Sequence, residues 1–237
     1  MVEMVLPLHD DAPLHYVRRP YVNWTLMALN IFVFVAVFSE SFGDPLTVVR
    51  GFGLIPAVLF GRAELAPWIV TPGPEWTLLT SLFFHSGLGH LAGNMIFLYV
   101  FGDNVEDAMG SAGYLIFYIL CGVSAAMLFA VGAPLTITPL VGASGAISGV
   151  CAAFILLYPR STIFGLVAGI IPIHAPASLF VGTWILFQLF NAFTDDQGHV
   201  GWWAHIGGIL AGLILTPLFK RRGVQWFGPW PFHGPWG

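Results

Sequence analysis

One serine and one histidine lie in short glycine-containing strings near the beginning of two apolar stretches. Ser144 belongs to Gly142-Ala143-Ser144-Gly145, and His205 belongs to Ala204-His205-Ile206-Gly207-Gly208. Serine and histidine are the minimum pair for making a nucleophilic alkoxide near neutral pH. Because both stretches are apolar enough to cross a bilayer, the pair suggests proteolysis carried out within a membrane.

The composition is that of a protein embedded in a membrane. Of the 237 residues, 57% are hydrophobic and 8% are charged, and the mean hydropathy is +0.82. Soluble domains carry about 25% charged residues. The net charge of −4 gives no reason to expect nucleic acid as a partner. Cys121 and Cys151 lie inside apolar runs, where cysteine behaves as a small hydrophobe, so a disulfide framework is not expected.

Six apolar segments are each close to the ~20 residues that a spanning helix needs. They cover residues 23–39, 78–101, 111–131, 143–158, 176–193 and 202–219. This pattern predicts an all-α membrane protein, a bundle of six transmembrane helices. The segment 161–175 is apolar but short, with Pro172 and Pro176 as breakers, so we expect it to form a connection at the membrane interface.

The spans divide the chain into an N-terminal segment (1–22), a six-helix domain (23–220) and a tail rich in Gly, Pro and Trp (221–237). Two basic residues, Arg50 and Arg62, fall on one side of the bundle. The other side holds Arg18, Arg19, Arg160, Lys220, Arg221 and Arg222. The positive-inside rule then predicts that both termini are cytoplasmic. The loop 103–110 would also be cytoplasmic, although its charges are all acidic.

Ser144 and His205 are predicted to lie at one depth in the membrane. Ser144 precedes Arg160 by sixteen residues and His205 precedes Lys220 by fifteen, and these basic residues mark the cytoplasmic interface. At ~1.5 Å per residue, both side chains lie roughly 22–24 Å from that interface and about 6–8 Å below the opposite surface. The two helices run parallel and can therefore bring the pair together.

Two glycine pairs provide the close approach that such a contact needs. Gly145 and Gly149 on the fourth span, and Gly208 and Gly212 on the sixth, are small-xxx-small pairs. Such pairs are also common in helices that merely pack, so the motif alone favours ordinary packing. A crossing at these glycines would put the imidazole within hydrogen-bond reach of the serine hydroxyl.

The sequence offers no acidic third member for a catalytic triad. No carboxylate occurs between Asp107 and Asp195, and Asp195 and Asp196 fall in the loop before the last span. An unpaired carboxylate in hydrocarbon would cost several kcal/mol. We therefore predict a serine–histidine dyad, with His205 oriented by packing and backbone contacts.

The second span carries His85, His90 and Asn94. His90 and Asn94 are four residues apart and share a helix face, a natural donor pair for a developing oxyanion. On a regular helix His85 points about 140° away from His90. We therefore expect His85 to be a structural residue that hydrogen-bonds between helices. This angle, and the lack of a cysteine or carboxylate to complete a ligand set, disfavour a metal site.

Three motifs together resemble those of the rhomboid family of intramembrane serine proteases. The resemblance covers about residues 76–218, and its motifs lie on the fourth, sixth and second spans: Gly142-Ala143-Ser144-Gly145, Ala204-His205-x-x-Gly208 and His90-x-x-x-Asn94. It implies a six-helix core whose active site opens to water on the extracytoplasmic side. In that resemblance Ser144 is the nucleophile, His205 is the general base, and His90 and Asn94 stabilise the oxyanion. The structural positions near the site are Gly142, Gly145, Gly208 and His85, with Glu106 a further one.

The resemblance also implies what the protein acts on. Its substrates would be transmembrane segments, or their flanks, in other membrane proteins of the cell membrane, and no metal or organic cofactor is needed. The chain departs from the family at two positions. Thr77 follows Trp76 where many members have an arginine, and Ser148 stands four residues after Ser144 where some members place a tyrosine under the histidine.

Two other classes of function remain open. The first is an inactive rhomboid-like protein that binds membrane segments without cutting them, although a binder has no need of the complete serine, histidine and asparagine set. The second is a small-solute transporter or channel, suggested by polar residues inside the membrane. Transporters usually contain paired broken helices in two related halves, whereas this sequence has one such break and no internal symmetry.

Overall fold

The structure is a computed structural model that describes residues 5–194 and 201–228. The described residues are mostly helical, and three short strands accompany the helices. The helices are α1 (Tyr21–Phe38), α2 (Pro45–Phe52), α3 (Pro56–Leu59), α4 (Thr77–Thr80), α5 (Leu88–Met109), α6 (Ser111–Gly132), α7 (Ser144–Leu157), α8 (Ala177–Thr194) and α9 (Trp202–Phe219). The strands are β1 (Val5–Asp10), β2 (Thr162–Val167) and β3 (Ile171–Pro176).

Four of the described helices, α1, α6, α8 and α9, are long and apolar enough to cross a membrane. The helix α7 is apolar but has only 14 residues, and at ~1.5 Å per residue it is shorter than a ~30 Å hydrocarbon core. The helix α5 has 22 residues, but the carboxylates of its last two turns make it more polar than the other long helices. The helical membrane bundle is as predicted, and the number of six spans stays a prediction.

The second long helix begins ten residues later than the sequence indicated. We expected it over 78–101, but α5 begins at Leu88, and residues 77–83 form α4 and one 3-10 turn instead. The backbone at Gly87 is extended, with φ 171° and ψ 169°, which separates these turns from α5. Glycine on both sides of Leu88 disfavours a continuous helix there, since glycine lowers helix propensity.

The segment 161–175, which we expected to be a connection at the membrane interface, forms a β-hairpin that sequence analysis did not predict. Strands β2 and β3 pair antiparallel, and β1 pairs antiparallel with the other edge of β2. The prolines that we took as breakers, Pro172 and Pro176, lie in β3, which is an edge strand of this three-stranded sheet. An edge strand tolerates proline because an N–H that faces away from the sheet is not needed for the ladder.

The N-terminal segment packs against the end of α5. The carboxylate of Asp107 accepts hydrogen bonds from the backbone N–H groups of His15, Tyr16 and Val17, at 2.9, 2.6 and 2.6 Å. Asp107 is fully buried. The acidic stretch that we expected in a cytoplasmic loop therefore lies inside α5, and these N–H groups satisfy the charge of Asp107.

Glu106 joins the beginning of α1 to the same end of α5. Its carboxylate accepts hydrogen bonds from the backbone N–H of Asn23 at 2.8 Å and from the hydroxyl of Ser111 at 2.6 Å. The N–H groups in the first turn of a helix have no partner within the helix. Glu106 provides one for α1, and this contact gives its structural role a physical basis.

The described part of the C-terminal tail contacts the end of α7. The backbone N–H groups of Phe227 and Gly228 donate to the carbonyl oxygens of Leu156 and Leu157, at 3.2 and 2.9 Å. The residues of the tail after 228 lie outside the described part of the chain, as do Asp195 and Asp196. The first tail residues thus belong to the packed structure, although they form no helix or strand.

Helices α7 and α9 cross with their backbones in contact, as the glycine pairs predicted. A Cβ atom added to Gly208 would overlap the carbonyl oxygen of Gly145, and one added to Gly212 would overlap that of Gly149. A Cβ on Gly149 would lie 2.5 Å from the sulfur of Cys121 on α6. Only glycine permits this approach, so the three helices share one tightly packed seam.

Candidate active site

Ser144 and His205 form a hydrogen-bonded pair at the ends of two adjacent helices. Ser144 is the first residue of α7, and His205 lies in the first turn of α9. The Oγ atom of Ser144 is 2.9 Å from Nε2 of His205, within the range of a hydrogen bond. The predicted contact is therefore present, and both side chains are only half-buried. Chemically, the imidazole is placed to accept the serine proton.

Gln188, a residue that the sequence analysis did not identify, is hydrogen-bonded to the other ring nitrogen of His205. Nδ1 of His205 is 2.8 Å from Oε1 of Gln188 on α8. The expectation that His205 is oriented by packing and backbone contacts alone was therefore incomplete. Gln188 is the sole amide in the apolar run 184–190. A polar side chain in such a run is a signal of an interhelical hydrogen bond, and it could have been found.

Two tryptophan rings flank the imidazole. The ring of Trp184 lies 6.2 Å from that of His205 at an interplanar angle of 34°, and the ring of Trp202 lies 6.0 Å away at 83°. Ser148, four residues after Ser144 on α7, offers the imidazole no aromatic ring, and its hydroxyl donates to the carbonyl oxygen of Ser144 at 2.7 Å. Aromatic packing of the histidine in this protein thus comes from α8 and α9 rather than from α7.

His90 and Asn94 face the loop that leads into Ser144. A Cβ atom built on Gly142 would lie 2.7 Å from Nε2 of His90 and 3.6 Å from Nδ2 of Asn94. Gly142 has φ +130°, a conformation that favours glycine, and its backbone N–H donates to the carbonyl oxygen of Ser81 at 2.9 Å. The loop is thereby held against the 3-10 turn at Ser81, and the two side chains of α5 lie beside Gly142, two residues before Ser144.

Asn94 has an unused hydrogen-bond donor. Its Nδ2 atom is buried and has no hydrogen-bond partner among the residues that the structure describes. His90 is held from its other side, because its Nδ1 is 3.1 Å from the hydroxyl of Ser86. A buried amide donor without a partner costs free energy, and a developing oxyanion at Ser144 would provide one. The arrangement is therefore suited to charge stabilisation beside the serine.

His85 lies close to His90 but outside α5. The two rings are 5.1 Å apart at an interplanar angle of 68°. Because the helix begins at Leu88, the 140° rotation expected for a regular helix does not apply. Neither ring nitrogen of His85 has a hydrogen-bond partner within the described residues. The expected interhelical hydrogen bond is not seen there, and His85 instead packs beside the ring of His90.

The glycines next to the site are packing residues. A Cβ atom on Gly145 would lie 2.6 Å from the Cβ atom of Ala125 on α6, and Gly208 contacts Gly145 directly. Each glycine is close in sequence to a member of the serine–histidine pair. Their small size lets the backbones of α6, α7 and α9 approach, which fixes the distance between the side chains of Ser144 and His205.

Comparison with known proteins places this arrangement in a family. The family described as "Rhomboid domain" matches residues 72–222. Since the match covers more than half of the chain, the protein belongs to the rhomboid family. The predicted resemblance is thereby confirmed.

Individual relatives are similar over part of their length. The chain is 32% identical over 169 residues to Rhomboid protease GluP of Bacillus subtilis (strain 168), covering 70% of this chain and 31% of that protein. It is 36% identical over 157 residues to Rhomboid-like protein 11, chloroplastic, of Arabidopsis thaliana, covering 62% and 54%. It is also 37% identical over 89 residues to Inactive rhomboid protein 1 of Drosophila melanogaster, covering 38% and 6%. This chain thus spans about half or less of each of these relatives.

Proposed function

We propose that this rhomboid is an intramembrane serine endopeptidase that cleaves transmembrane segments of other membrane proteins. The observation that carries the proposal is the 2.9 Å hydrogen bond between Ser144 Oγ and His205 Nε2. Family membership and relatives named as proteases support the same class of activity. The reaction is an acyl transfer to serine followed by hydrolysis, and it needs no metal or organic cofactor.

The first step is attack of Ser144 on a peptide carbonyl. His205 takes the hydroxyl proton on Nε2 as the Oγ–C bond forms, and then gives that proton to the leaving amine when the C–N bond breaks. Water next attacks the acyl-enzyme with His205 again acting as the base. The cycle ends with a free serine and a carboxylic acid on the N-terminal product.

The tetrahedral intermediates carry a negative oxygen that needs hydrogen-bond donors. Asn94 and His90 are the side-chain donors in this proposal, and the backbone N–H of Ser144 is the third. That N–H lies at the beginning of α7, where the helix dipole favours negative charge. The unpartnered Nδ2 of Asn94 supports this role, because it leaves one donor available for the oxyanion.

The site would be reached from the extracytoplasmic side of the cell membrane, with both termini in the cytoplasm. The distribution of basic residues supports this orientation. Within it, Ser144 and His205 lie in the outer leaflet, where a substrate helix can meet water. A substrate helix must unwind to expose a carbonyl, so Gly, Pro and small residues near the cut are the expected preference.

The experiment compares wild type with Ser144→Ala and His205→Ala on a fluorogenic transmembrane peptide in detergent. Turnover should be lost in both variants while thermal unfolding stays near that of wild type. Thr25→Ala is the control, since its exposed hydroxyl donates to the carbonyl oxygen of Tyr21 on its own helix. Turnover that persists in Ser144→Ala would contradict the proposal.

The second candidate is a rhomboid protein that binds membrane segments without cutting them. The similarity to a relative named an inactive rhomboid protein favours it. A fluorophosphonate reacts with an activated serine, so it should label wild type at Ser144 and leave His205→Ala unlabelled. Well-folded wild type that binds a transmembrane peptide but does not react with the fluorophosphonate would favour the binding function.

A further inference from the structure

The imidazole of His205 has a hydrogen-bond partner on each side. Nε2 is 2.9 Å from Ser144 Oγ, and Nδ1 is 2.8 Å from Gln188 Oε1. Gln188 is 3% exposed, so this contact is shielded from competing solvent. We propose that Gln188 is a positioning residue for His205. Its amide oxygen accepts a hydrogen bond from the Nδ1–H group, which keeps the proton on Nδ1 and leaves Nε2 free to take the proton of Ser144.

This role follows from the chemistry of a neutral imidazole, which carries its proton on one ring nitrogen at a time. With the proton on Nε2, the ring would donate to Ser144 and could not act as its base. An acceptor at Nδ1 favours the tautomer with the proton on Nδ1, as the buried aspartate does in the Ser-His-Asp triad of serine hydrolases. The inference rests on the proposed function, since the tautomer matters for catalysis only if His205 is the base.

An amide suits this position better than a carboxylate. The site lies among apolar helices, where a buried charge would cost several kcal/mol. The glutamine oxygen provides the same hydrogen-bond geometry as a carboxylate oxygen without that charge. Gln188 thus supplies the orienting function that we could not assign to any acidic residue in the sequence.

The aromatic rings beside His205 cannot replace this acceptor. Trp184 and Trp202 restrict the plane of the imidazole, but an indole N–H is a donor only. Neither ring can accept a hydrogen bond from the Nδ1–H group of His205. Within the described residues, the amide oxygen of Gln188 is the one acceptor recorded at Nδ1. The tautomer therefore depends on a single side chain.

Gln188 lies on α8, and one face of this helix packs against the site. The ring of Phe187 lies 5.9 Å from that of Trp202, and the ring of Trp184 lies 5.7 Å from that of Phe97. On the other side of α8, Leu186 and Phe190 are exposed. The base in α9 is therefore correctly oriented only while α8 is packed beside it.

Three variants of the complete chain test the role of Gln188. Gln188→Met removes the acceptor at nearly constant length, and Gln188→Glu keeps an oxygen acceptor there. Asn191→Leu is the matched control, since this amide on α8 donates to the carbonyl oxygen of Phe187 in its own helix. The kcat for a fluorogenic transmembrane peptide should fall about 10–100-fold in Gln188→Met, the size of loss seen when partners that orient metal-ligating histidines are removed, with little change in KM. Gln188→Glu keeps the acceptor but buries a carboxylate, so it should be less stable than wild type and yet turn over faster than Gln188→Met, and Asn191→Leu should match wild type.

Nitrogen-15 NMR of histidine-labelled protein reports the tautomer without requiring turnover. The His205 signals, assigned by their absence in His205→Ala, should show protonated Nδ1 in wild type and a mixture of tautomers in Gln188→Met. Protonated Nε2 in wild type would overturn the inference, whether or not the variants fold. So would a kcat in folded Gln188→Met equal to that of wild type, or a kcat in folded Gln188→Glu no higher than that of Gln188→Met.

The failure of the proposed function gives a different result. Wild type that neither cleaves peptide nor reacts with a fluorophosphonate would overturn the protease assignment, and a positioning role in catalysis with it. The NMR measurement would then still decide whether Gln188 fixes the tautomer, because it depends on the hydrogen bond alone.

Discussion

Gly208 of α9 lies directly against the carbonyl oxygen of Gly145 in α7. Gly145 follows Ser144, and Gly208 is one helical turn after His205. The backbone contact and the 2.9 Å hydrogen bond are therefore adjacent parts of one helix crossing. Any change that separates the two backbones also separates the hydroxyl from the imidazole.

Gly208→Ala should damage both stability and catalysis. Its Cβ atom would overlap Gly145 O, which belongs to the backbone and cannot rotate away. Overpacking of this kind costs about 1–3 kcal/mol of unfolding free energy. Thermal unfolding in detergent and peptide turnover measure the two effects. Gly182→Ala is the control, because a Cβ there meets no atom within 4 Å, and an unchanged Gly208→Ala protein would contradict the close crossing.

Asn94→Ala should reduce kcat with little effect on KM. In the proposed mechanism the Asn94 amide acts on the oxyanion, which exists only after attack has begun, and the loss of one such donor costs about 10²–10³ in kcat. Asn30→Ala provides a matched control, since that buried amide on α1 donates to Leu26 O. Steady-state kinetics on a transmembrane peptide are the measurement. Equal losses in both variants would argue against a specific role for Asn94.

Asp107→Ala should release the N-terminal segment from α5. The carboxylate accepts hydrogen bonds from the N–H groups of His15, Tyr16 and Val17. Hydrogen bonds to a charged group contribute about 1.5–3 kcal/mol each, and solvent can reach the freed N–H groups, so a loss of about 3 kcal/mol in unfolding free energy is expected. Hydrogen exchange at these three amides should also become faster.

Glu64→Ala is the control for this variant, because Glu64 is an exposed acid. It should unfold like wild type and leave amide exchange in the N-terminal segment unchanged. Slow exchange that persists in Asp107→Ala would mean that other contacts hold the segment.

Stability should fall as the pH rises towards neutrality because of Asp10. Burial raises the pKa of this carboxyl from 3.8 to about 7, and repulsion from Asp103 and Asp11 adds to the effect. The folded state then binds the proton more tightly than the unfolded state. The contribution of the protonated Asp10 carboxyl to stability is complete below pH 3.8 and is lost as the pH rises through about 7.

Thermal unfolding of wild type and Asp10→Asn at pH 4.5 and pH 8 tests this dependence. We expect the melting temperature of wild type to fall more between pH 4.5 and pH 8 than that of Asp10→Asn, because the asparagine cannot ionise. The effect of Asp10 is confined to the range from about pH 4 to 7, in which its carboxyl titrates. Asp44→Asn should keep the pH dependence of wild type, since hydrogen bonds from Thr47 lower the pKa of the Asp44 carboxyl. Parallel curves for wild type and Asp10→Asn would contradict the shift.

The contact between Ser144 and His205 could be predicted from the sequence because it depends on regular features. Helical rise set their depth, and glycine spacing set the crossing of the two helices. Gln188 could not be assigned in the same way. A single glutamine in an apolar run indicates a hydrogen bond, but its partner depends on how α8 rotates and packs.

The sheet was missed for a different physical reason. Short apolar segments have no periodicity that distinguishes a strand from an irregular connection. Strand β1 comes from residues 5–10 and pairs with residues 162–167, and this pairing depends on contacts between distant parts of the chain. The beginning of α5 was also misplaced, because hydropathy extends across residues 77–87 although glycine interrupts the helix there.

The sheet has a practical consequence for handling this protein. Strand β3 ends at Pro176 and α8 begins at the next residue, so the hairpin leads directly into the helix that carries Gln188. Strand β1 is hydrogen-bonded to β2 of that hairpin. A purification tag or fusion partner placed ahead of residue 5 would therefore act on the hairpin and, through it, on the beginning of α8. A tag that follows residue 237 is not attached to β1, so it is the better choice for kinetic measurements.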